Sequence, residues 1–532
     1  MSQPRPVAVS HEVFHAPFNP WLIAVVATLA TFMEVLDTSI ANVALPHIAG
    51  NLGASVTDST WVLTSYLVAN AIVLPASAWL ASAMGRRNYY LLSVAIFAAA
   101  SFLCGVAPSL GMLVFFRLLQ GLGGGGLQPL TQSILVDTFP PKMRGMGMAV
   151  YGMTVVVAPV IGPTLGGWIT DSYSWRWIFF INVPIGAVAL FLSSRFITDP
   201  PYFHRRSGPR QWRGDFIGLA LIAVGLGSLQ MMLDLGDRFD WFSSPFIIGC
   251  AVASGVALLS GILWELNHRE PIINLRVLHD RNLSLSCVHM LIFGAVLFSS
   301  TALLPLMMQT LLGYTAEQSG MALSPGGIVI AVMMPIIGWM VSRTDVRWMI
   351  VFGIAVVAWA LWLMGGFSLD IPFRTVVTAR VIQGFGLAFI FVPLNTVAYA
   401  NVAGNDRNNA SSLISIARNI GGSIGIGYSA AMLSRGAQVN QALLVRNLTP
   451  ASPAYNSTLE ALQNHFGRYM SDANQAAAAA QGAIGAALSA QARLLTYVGQ
   501  FRFLALAFLL LIPVVLLMRR REQGGHVELI AE

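Results

Sequence analysis

The sequence predicts an all-α integral membrane protein. Hydrophobic residues make up 56% of the 532-residue chain and charged residues only 10%, whereas charged residues form about 25% of a soluble domain. Apolar stretches of roughly 20 residues, the length of a membrane-spanning helix, recur between Trp21 and Met518. They lack the alternating pattern of a membrane β-barrel wall, so each is predicted to be a helix.

The apolar stretches predict about fourteen spanning helices in three groups. Six form a first block, two follow as a pair, and six form a second block. The predicted spans lie near 21–45, 58–81, 89–107, 110–136, 147–170, 176–197, 216–236, 245–264, 284–311, 320–341, 348–366, 373–399, 409–434 and 497–518. The corresponding parts are a tail (1–20), a six-helix bundle (21–197), linkers with two inserted helices (198–283), a second six-helix bundle (284–518) that includes an outer segment (435–496), and a tail (519–532).

Charge predicts the orientation of these helices. Arg and Lys collect in cytoplasmic loops of membrane proteins, and with the N-terminus inside, the short outer loops hold almost only Arg176, Arg238 and Arg374. Both termini are therefore expected in the cytoplasm, in a multi-pass protein of the inner (plasma) membrane. The net charge of +7 is spread over separate loops rather than one patch, which disfavours a nucleic-acid partner.

The two six-helix blocks repeat one pattern. A run Arg-Leu-Leu-Gln-Gly begins at Arg117, and a similar run, Arg-Val-Ile-Gln-Gly, begins at Arg380. Each Arg follows the start of the fourth helix of its block by about seven residues. Because many transporters consist of related halves that rock about a central site, the blocks are predicted to be structural copies.

Two ionisable residues inside apolar helices are the first candidates for function. Arg117 and Asp37 are predicted to lie roughly 10 to 12 Å below the outer ends of their helices, and a charge at such a depth costs roughly 3 kcal/mol. The pair predicts a proton-coupling site, although a static ion pair between two helices is the alternative. Glu34 lies one turn before Asp37. It could be a second proton carrier or attract cationic substrates, and it could equally be a carboxyl that is neutral or reaches water.

Four amides are candidates for the lining of a substrate cavity. Uncharged amides can hydrogen-bond varied substrates, and they also join helices in membranes for about 1 kcal/mol each. Both interpretations apply to Asn42, Gln120, Gln128 and Gln132.

Three motifs in order carry a resemblance to a known family. The first helix contains Leu-Asp-Thr-Ser-Ile-Ala-Asn-Val-Ala-Leu-Pro from Leu36, and the fourth contains Arg-x-x-Gln-Gly from Arg117. The fifth contains Gly-Pro-Thr-Leu-Gly-Gly from Gly162. On these motifs the chain resembles the drug:proton antiporters of the major facilitator superfamily, in the fourteen-helix class of the EmrB and QacA type.

The resemblance implies a fold and an activity. The fold would be the major facilitator fold, two six-helix bundles plus two inserted helices. The activity would be proton-coupled efflux of amphipathic or hydrophobic compounds such as drugs by alternating access, with the proton gradient as energy source and no cofactor. Asp37 would carry the proton with Arg117 as its partner. The outer segment would dock a periplasmic adaptor protein of the membrane-fusion type, or simply cover the outer vestibule.

The fifth-helix motif is the one that the family associates with export. Small residues at Gly162, Gly166 and Gly167 would let the helix approach its neighbour, while Pro163 removes a backbone donor and permits a bend. A gate is therefore expected here, and ordinary glycine packing is the alternative.

The sequence also departs from the family. After the second helix, Gly85, Arg86 and Arg87 are present as an inner-loop gate, but Ser82 occupies the position of the family's Asp. The charge latch that the family usually forms between inner loops therefore lacks its Asp at this position. In the helix that corresponds to the first, Arg380 faces no carboxylate but Ser299, Ser300 and Thr301. Proton coupling is thus expected mainly in the first block.

Two other functions compete with drug efflux. A membrane enzyme is disfavoured because the nine histidines show no metal-binding spacing and no hydrolase or nucleotide-binding motif occurs; no metal site is expected. A dedicated exporter or importer of one metabolite or siderophore remains open, because a fold does not fix its substrate.

Overall fold

A computed structural model describes residues 17–140, 142–200, 215–268, 271–446, 448–449, 452–470 and 472–519. Most of the two predicted tails and the basic linker at 201–214 lie outside these residues. Within them all regular structure is helical. The helices are α1 Pro20–Asn51, α2 Val56–Ser59, α3 Trp61–Met84, α4 Arg86–Gly105, α5 Leu110–Gly124, α6 Leu127–Thr138, α7 Arg144–Ser172, α8 Trp177–Phe180, α9 Asn182–Phe196, α10 Phe216–Leu235, α11 Pro245–Asn267, α12 Arg281–Thr310, α13 Ala316–Met340, α14 Val346–Met364, α15 Phe373–Ala398, α16 Arg407–Val445, α17 Pro453–Gly467, α18 Ala473–Leu509 and α19 Ile512–Leu516.

The helices confirm the predicted class of fold, a membrane protein of about fourteen spanning helices. In the described part of the chain, thirteen helical segments are long and apolar enough to cross a membrane. Helix α16 is a further long helix of 39 residues, less apolar because it carries Arg418 and many small polar residues. Large hydrophobic side chains such as Phe191, Trp348 and Leu259 are exposed on the outside, as expected of a surface that faces lipid.

Helix α1 is longer than the sequence predicts. The expected end at residue 45 is wrong, because the helix continues through Pro46 to Asn51. A proline inside a membrane helix is tolerated where neighbouring groups satisfy the freed backbone. Asp37 therefore lies fourteen residues before the end of α1, about 21 Å along the axis, and deeper than expected.

The fourth span is interrupted at its glycine run, where α5 ends and α6 begins. A Cβ atom on Gly121 would lie 2.4 Å from the carbonyl oxygen of Tyr66, and one on Gly125 would lie 2.8 Å from that of Asn70. Both distances are shorter than the closest approach of a Cβ atom to a carbonyl oxygen. The glycines thus bring this span against α3, which carries several of the polar residues described below.

The two halves of the chain repeat the same helix pairings. Helix α1 packs on α7 as α12 packs on α16, α3 packs on α5 as α13 packs on α15, and α4 packs on α9 as α14 packs on α18. The halves meet where α7 contacts α13 and where α3 contacts α16. The internal repeat seen around Arg117 and Arg380 is therefore repeated in the packing.

The inserted helices differ from each other in position. Helix α10 packs against α3 and α16, one from each half, whereas α11 packs mainly on α10. The loop between them is joined to the short helix α2, because Arg238 Nη2 lies 3.0 Å from Asp58 Oδ1. Hydrogen bonding from Ser55, together with Arg238, lowers the pKa of Asp58. The inserted pair is thus attached to the first half as well as lying against the second.

The segment predicted to stand outside the membrane, 435–496, is mostly helical. It comprises the last part of α16, the separate helix α17 and the first part of α18. Helix α17 packs on α18, and α16 also packs on α18. The segment is therefore continuous with two long helices of the second half.

Close packing of α12 on α16 generates a prediction about stability. A Cβ on Gly421 would lie 1.8 Å from the carbonyl oxygen of Leu291, so Gly421→Ala must force the two helices apart. Overpacking of this kind costs about 1–3 kcal/mol. We expect the melting temperature of the purified protein in detergent to fall. Gly255→Ala is the control because its Cβ meets nothing within 4 Å; equal melting temperatures for the two variants would contradict the packing argument.

Candidate functional site

Asp37 and Arg117 form a buried ion pair between α1 and α5. Arg117 Nη1 lies 2.5 Å from Asp37 Oδ2, and the residues are 2% and 0% exposed. The other carboxylate oxygen of Asp37 accepts hydrogen bonds from Gln120 Nε2 at 3.0 Å and Asn182 Nδ2 at 2.7 Å. A charge at this depth is tolerated because its oxygens are all occupied by donors.

The guanidinium of Arg117 is fixed on several sides. Its Nε donates to the carbonyl oxygen of Val62 at 3.0 Å, and its Nη1 also donates to Gln120 Oε1 at 2.7 Å. The ring of Tyr66 lies against it, with 4.3 Å between the guanidinium carbon and the ring centroid. Such stacking adds about 0.5–2 kcal/mol. Arg117 thus has contacts with α3 and with Gln120 in addition to its ion pair with Asp37.

Glu34 lies in a second polar cluster, beside the first. Its Oε1 accepts from the Tyr66 hydroxyl at 3.1 Å and from Asn70 Nδ2 at 3.2 Å, and its Oε2 accepts from Gln128 Nε2 at 2.7 Å. Tyr66 therefore contacts both clusters, with its ring on Arg117 and its hydroxyl on Glu34. One side chain connects the buried ion pair to the second carboxyl group.

A cavity of about 150 Å³ lies between the two halves. It is lined by α1, α3, α6, α7, α10, α12 and α16, with apolar residues such as Leu67 and Leu226 alternating with polar ones. Glu34 lines the cavity, whereas Asp37 and Arg117 lie behind it. The polar lining consists of Glu34, Thr38, Tyr66, Asn70, Gln128, Gln230, Asp234, Arg418, Asn419 and Ser423.

Arg418 is a candidate site residue that the sequence reasoning missed. It is 1% exposed, and its Nη1 donates to the Tyr151 hydroxyl at 3.1 Å while its Nη2 donates to Gln128 Oε1. The amide of Gln128 therefore stands between Arg418 of the second half and Glu34 of the first. The signal was an Arg inside the predicted span 409–434. Asn182 was missed as well, because an Asn at a helix start resembles a capping residue.

The four candidate amides have different positions. Gln128 lines the cavity, as expected, but Gln120 belongs to the Asp37 cluster and lies outside the cavity. Gln132 is buried and binds Tyr151 at 2.7 Å and Tyr399 at 2.5 Å. The expectation that Asn42 lines the same cavity is wrong: it is exposed, one turn beyond Thr38, where the lining on α1 ends.

The fifth-span motif, on α7, packs against α1 at two of its three glycines. A Cβ on Gly162 would lie 2.3 Å from Ser39 Oγ and one on Gly166 would lie 3.1 Å from Ile40, but one on Gly167 would meet nothing within 4 Å. The packing role predicted for Gly167 is therefore wrong, because it points away from α1.

Pro163 leaves a backbone acceptor free in α7. Its missing N–H would have bonded to the carbonyl oxygen of Pro159, one turn earlier. The Ser39 hydroxyl of α1 donates to that oxygen instead, at 3.0 Å. A side chain of one helix thus completes the backbone hydrogen bonding of its neighbour.

The inner-loop residues form a charge cluster that the sequence reasoning did not expect. Gly85 adopts φ +88° between α3 and α4, and the next residue, the buried Arg86, pairs with Asp137 at the end of α6. Arg407 at the start of α16 pairs with the same carboxylate. The carboxylate of this latch thus comes from the fourth span and not from the loop after the second. Arg87 binds within the first half, to the Ser194 carbonyl at 2.6 Å.

Polar contacts between the halves collect at this same end, which we call the Asp137 end. Asn408 accepts from Ser133, Ser412 lies 2.9 Å from Ser77 and Ser415 accepts from Gln132 at 3.2 Å. The second-half members of these contacts all lie near the start of α16, whereas the part of α16 that lines the cavity begins at Ile416. The cavity is therefore closed on the Asp137 side.

The second half has no equivalent of the Asp37 ion pair among the described residues. Arg380 Nη1 donates to Gln383 Oε1 at 2.6 Å, and its Nη2 donates to Thr301 Oγ1 at 3.1 Å. Gln383 in turn donates to Ser300 at 2.9 Å. Hydroxyl groups occupy the place of the carboxylate, so the two halves match in geometry but differ in charge.

The latch generates a prediction about opening. Asp137→Asn removes the negative charge between two guanidinium groups, and losing one partner of a buried ion pair costs about 3 kcal/mol or more. We expect labelling of a Ser412→Cys reporter by a water-soluble maleimide, in a chain without Cys104, Cys250 and Cys287, to accelerate at least about tenfold. Asp199→Asn, an exposed carboxylate beside Arg87, is the control. Unchanged labelling in the Asp137 variant would show that this cluster does not hold the halves together.

The chain matches known proteins over most of its length. The profile of the Major Facilitator Superfamily matches residues 27–426. The multidrug export protein EmrB of Escherichia coli K12 is 41% identical over 450 residues, which cover 83% of this chain and 86% of that protein. The fatty acid resistance protein FarB of Neisseria gonorrhoeae is 37% identical over 501 residues, covering 94% and 96%.

Solved structures agree on the fold. The human organic anion transporter MFSD10 has a TM-score of 0.58 at 13% identity and covers 92% of this chain and 100% of its own. The proton:xylose symporter XylE has a TM-score of 0.56 at 14% identity, covering 79% and 90%. The chain therefore belongs to the major facilitator superfamily, and within it to the transporters represented by EmrB; it is a transporter and not an enzyme.

Proposed function

We propose that this protein exports amphipathic, mainly hydrophobic compounds such as drugs in exchange for protons, with the proton gradient as energy source. The proposal is supported by relatives named for multidrug export that match most of the chain. The observation that carries it is the buried Asp37–Arg117 pair, joined through Tyr66 to a carboxyl group on the wall of the cavity. A dedicated exporter or importer of one metabolite is less well supported, because the lining is mixed and several relatives are named for multidrug export or resistance.

Transport would proceed by alternating access between the halves. With both termini in the cytoplasm of the inner membrane, the Asp137 end faces inward, and the described state is closed to the cytoplasm. The cavity of about 150 Å³ is smaller than the roughly 300–1,000 Å³ of pockets for drug-sized ligands. The halves must therefore separate to admit a substrate.

Asp37 would carry the proton. Ionised, it is held by Arg117, Gln120 and Asn182; a proton on it removes the charge that compensates the guanidinium. Arg117 would then shift, and Tyr66, which lies on it, would shift as well. Because Tyr66 also donates to Glu34, protonation of Asp37 changes the cavity wall. By reciprocity, a substrate that displaces Tyr66 changes the proton affinity of Asp37.

Glu34 would be the second proton carrier, the one that the cavity reaches directly. Its three donors, Tyr66, Asn70 and Gln128, are all neutral, in contrast to the guanidinium on Asp37. A proton on Glu34 would weaken its bonds to Tyr66 and Gln128, and Gln128 is also the acceptor of Arg418. Its protonation would thus loosen a contact between the halves.

The partner would be a periplasmic adaptor protein of the membrane-fusion type. The proposal comes from the resemblance to exporters that work with such adaptors. It is supported by the helical extension of α16, α17 and α18, which offers a structured surface with exposed apolar side chains, including Val439 and Leu443.

The exchange of protons for drug can be tested in inverted membrane vesicles. Gradient-driven uptake of a fluorescent amphipathic dye should be abolished by a protonophore and by Asp37→Asn at matched expression, because the asparagine cannot carry the proton. Asp171→Asn, an exposed carboxylate near His47, should transport like the native chain. Undiminished uptake by the Asp37 variant would show that another residue carries the proton. If the native chain transports no dye of a panel, a transporter of a single natural solute would be favoured.

Tyr66→Phe separates the two contacts of that side chain. The ring stays over Arg117, but the hydrogen bond to Glu34 is lost. Dye should still bind, whereas gradient-driven uptake should fall about tenfold, because a hydrogen bond to a charged group contributes about 1.5–3 kcal/mol. Binding and transport reduced by the same factor would argue against a coupling role. Tyr173→Phe is the matched control, since Tyr173 is exposed.

A further inference from the structure

One face of the inserted helix α10 forms part of the cavity wall. The lining includes Leu226, Leu229, Gln230, Leu233 and Asp234, which follow the spacing of one helical stripe. The stripe lies where α10 packs between α3 and α16. An inserted helix therefore contributes to the same cavity as both six-helix halves.

Two side chains hold the polar end of this stripe in position. Gln230 Nε2 donates to Ser423 Oγ at 2.9 Å, and the Ser423 hydroxyl lies 3.0 Å from Gln230 Oε1. The same Gln230 amide donates to Asp234 Oδ1 at 2.9 Å. The carboxyl group of Asp234 is thus oriented by a contact between α10 and the second half.

The second oxygen of Asp234 is buried and has no hydrogen-bond partner among the described residues. No ion pair in the described chain joins it to a basic side chain. Burial of a charged oxygen without a partner is unfavourable. A cation bound beside this oxygen would offset that cost.

The other charged groups that line the cavity already have hydrogen-bond partners. Glu34 accepts three hydrogen bonds, and Arg418 donates to Gln128, Tyr151 and Asn419. Asp237, one turn beyond Asp234, is exposed and accepts from Ser434 at 3.1 Å. Asp234 is therefore the carboxyl group on the cavity wall with capacity for a new charged partner.

We propose that Asp234 is a specificity-determining residue that binds the cationic group of amphipathic substrates, while Leu226, Leu229 and Leu233 contact their apolar part. The class of substrate would be lipophilic monocations. This proposal rests on the proposed export function for its biological meaning, but it concerns binding and can be tested without a proton gradient.

Equilibrium dialysis of the detergent-purified full chain with tetraphenylphosphonium tests the assignment, with Nile red as a neutral amphipathic probe. Asp234→Asn should weaken tetraphenylphosphonium binding at least about tenfold, equivalent to about 1.4 kcal/mol, and leave Nile red binding unchanged. Asp234→Glu should restore most of the cation binding. The matched control is Asp237→Asn, which removes the same charge three residues further along and should bind both probes like the native chain.

Each result decides the proposal. For Asp234→Asn, an equal loss of binding for both probes, or tetraphenylphosphonium binding as tight as in the native chain, would overturn it. A native chain that binds Nile red but not tetraphenylphosphonium, or that binds neither probe, would overturn it as well. If Asp234→Asn is not monodisperse, Asp234→Ser takes its place under the same criteria. Failure of vesicle transport with intact, Asp234-dependent cation binding would instead overturn the proposed export function alone.

Discussion

The burial of charge in an apolar interior is the constraint on which the rest of the structure depends. Asp37 and Arg117 are almost fully buried, and the arrangement is tolerable only because every oxygen of the carboxylate has a donor. Those donors come from α5 and α9, and Val62 of α3 supplies an acceptor for the guanidinium. Four helices of the first half are therefore fixed around one ion pair, and the cavity lies directly beside them.

The sequence predicts the class of fold well because the physical signals are strong. Apolar stretches of about 20 residues and the two Arg-x-x-Gln-Gly runs suffice for a membrane protein built from related halves. Helix ends are less predictable, since Pro46 lies inside α1 rather than after it. The reason is that neighbouring helices decide whether a proline ends a membrane helix, and neighbours are not visible in a sequence.

The same limit applies to the site. The pairing of Asp37 with Arg117 can be predicted from the sequence, because charges in apolar helices need partners. The roles of Asn182 and Arg418 cannot, because they depend on helices that lie far away in the chain. The latch shows this most clearly. Ser82 indicates that a local carboxylate is missing, yet Asp137, 51 residues after Arg86, supplies one. Long-range contacts thus replace a local motif without leaving a local signal.

The hydrogen bond from Ser39 to the Pro159 carbonyl has a mechanical consequence. A bare carbonyl surrounded by hydrocarbon is unfavourable, so α7 cannot flex at Pro163 independently of α1 without exposing one. Ser39 lies two residues after Asp37 on the same helix, and α7 is the helix that meets α13 of the opposite half. A displacement of α1 at the carboxylate would therefore also displace α7, the helix of the first half that packs on α13 of the second.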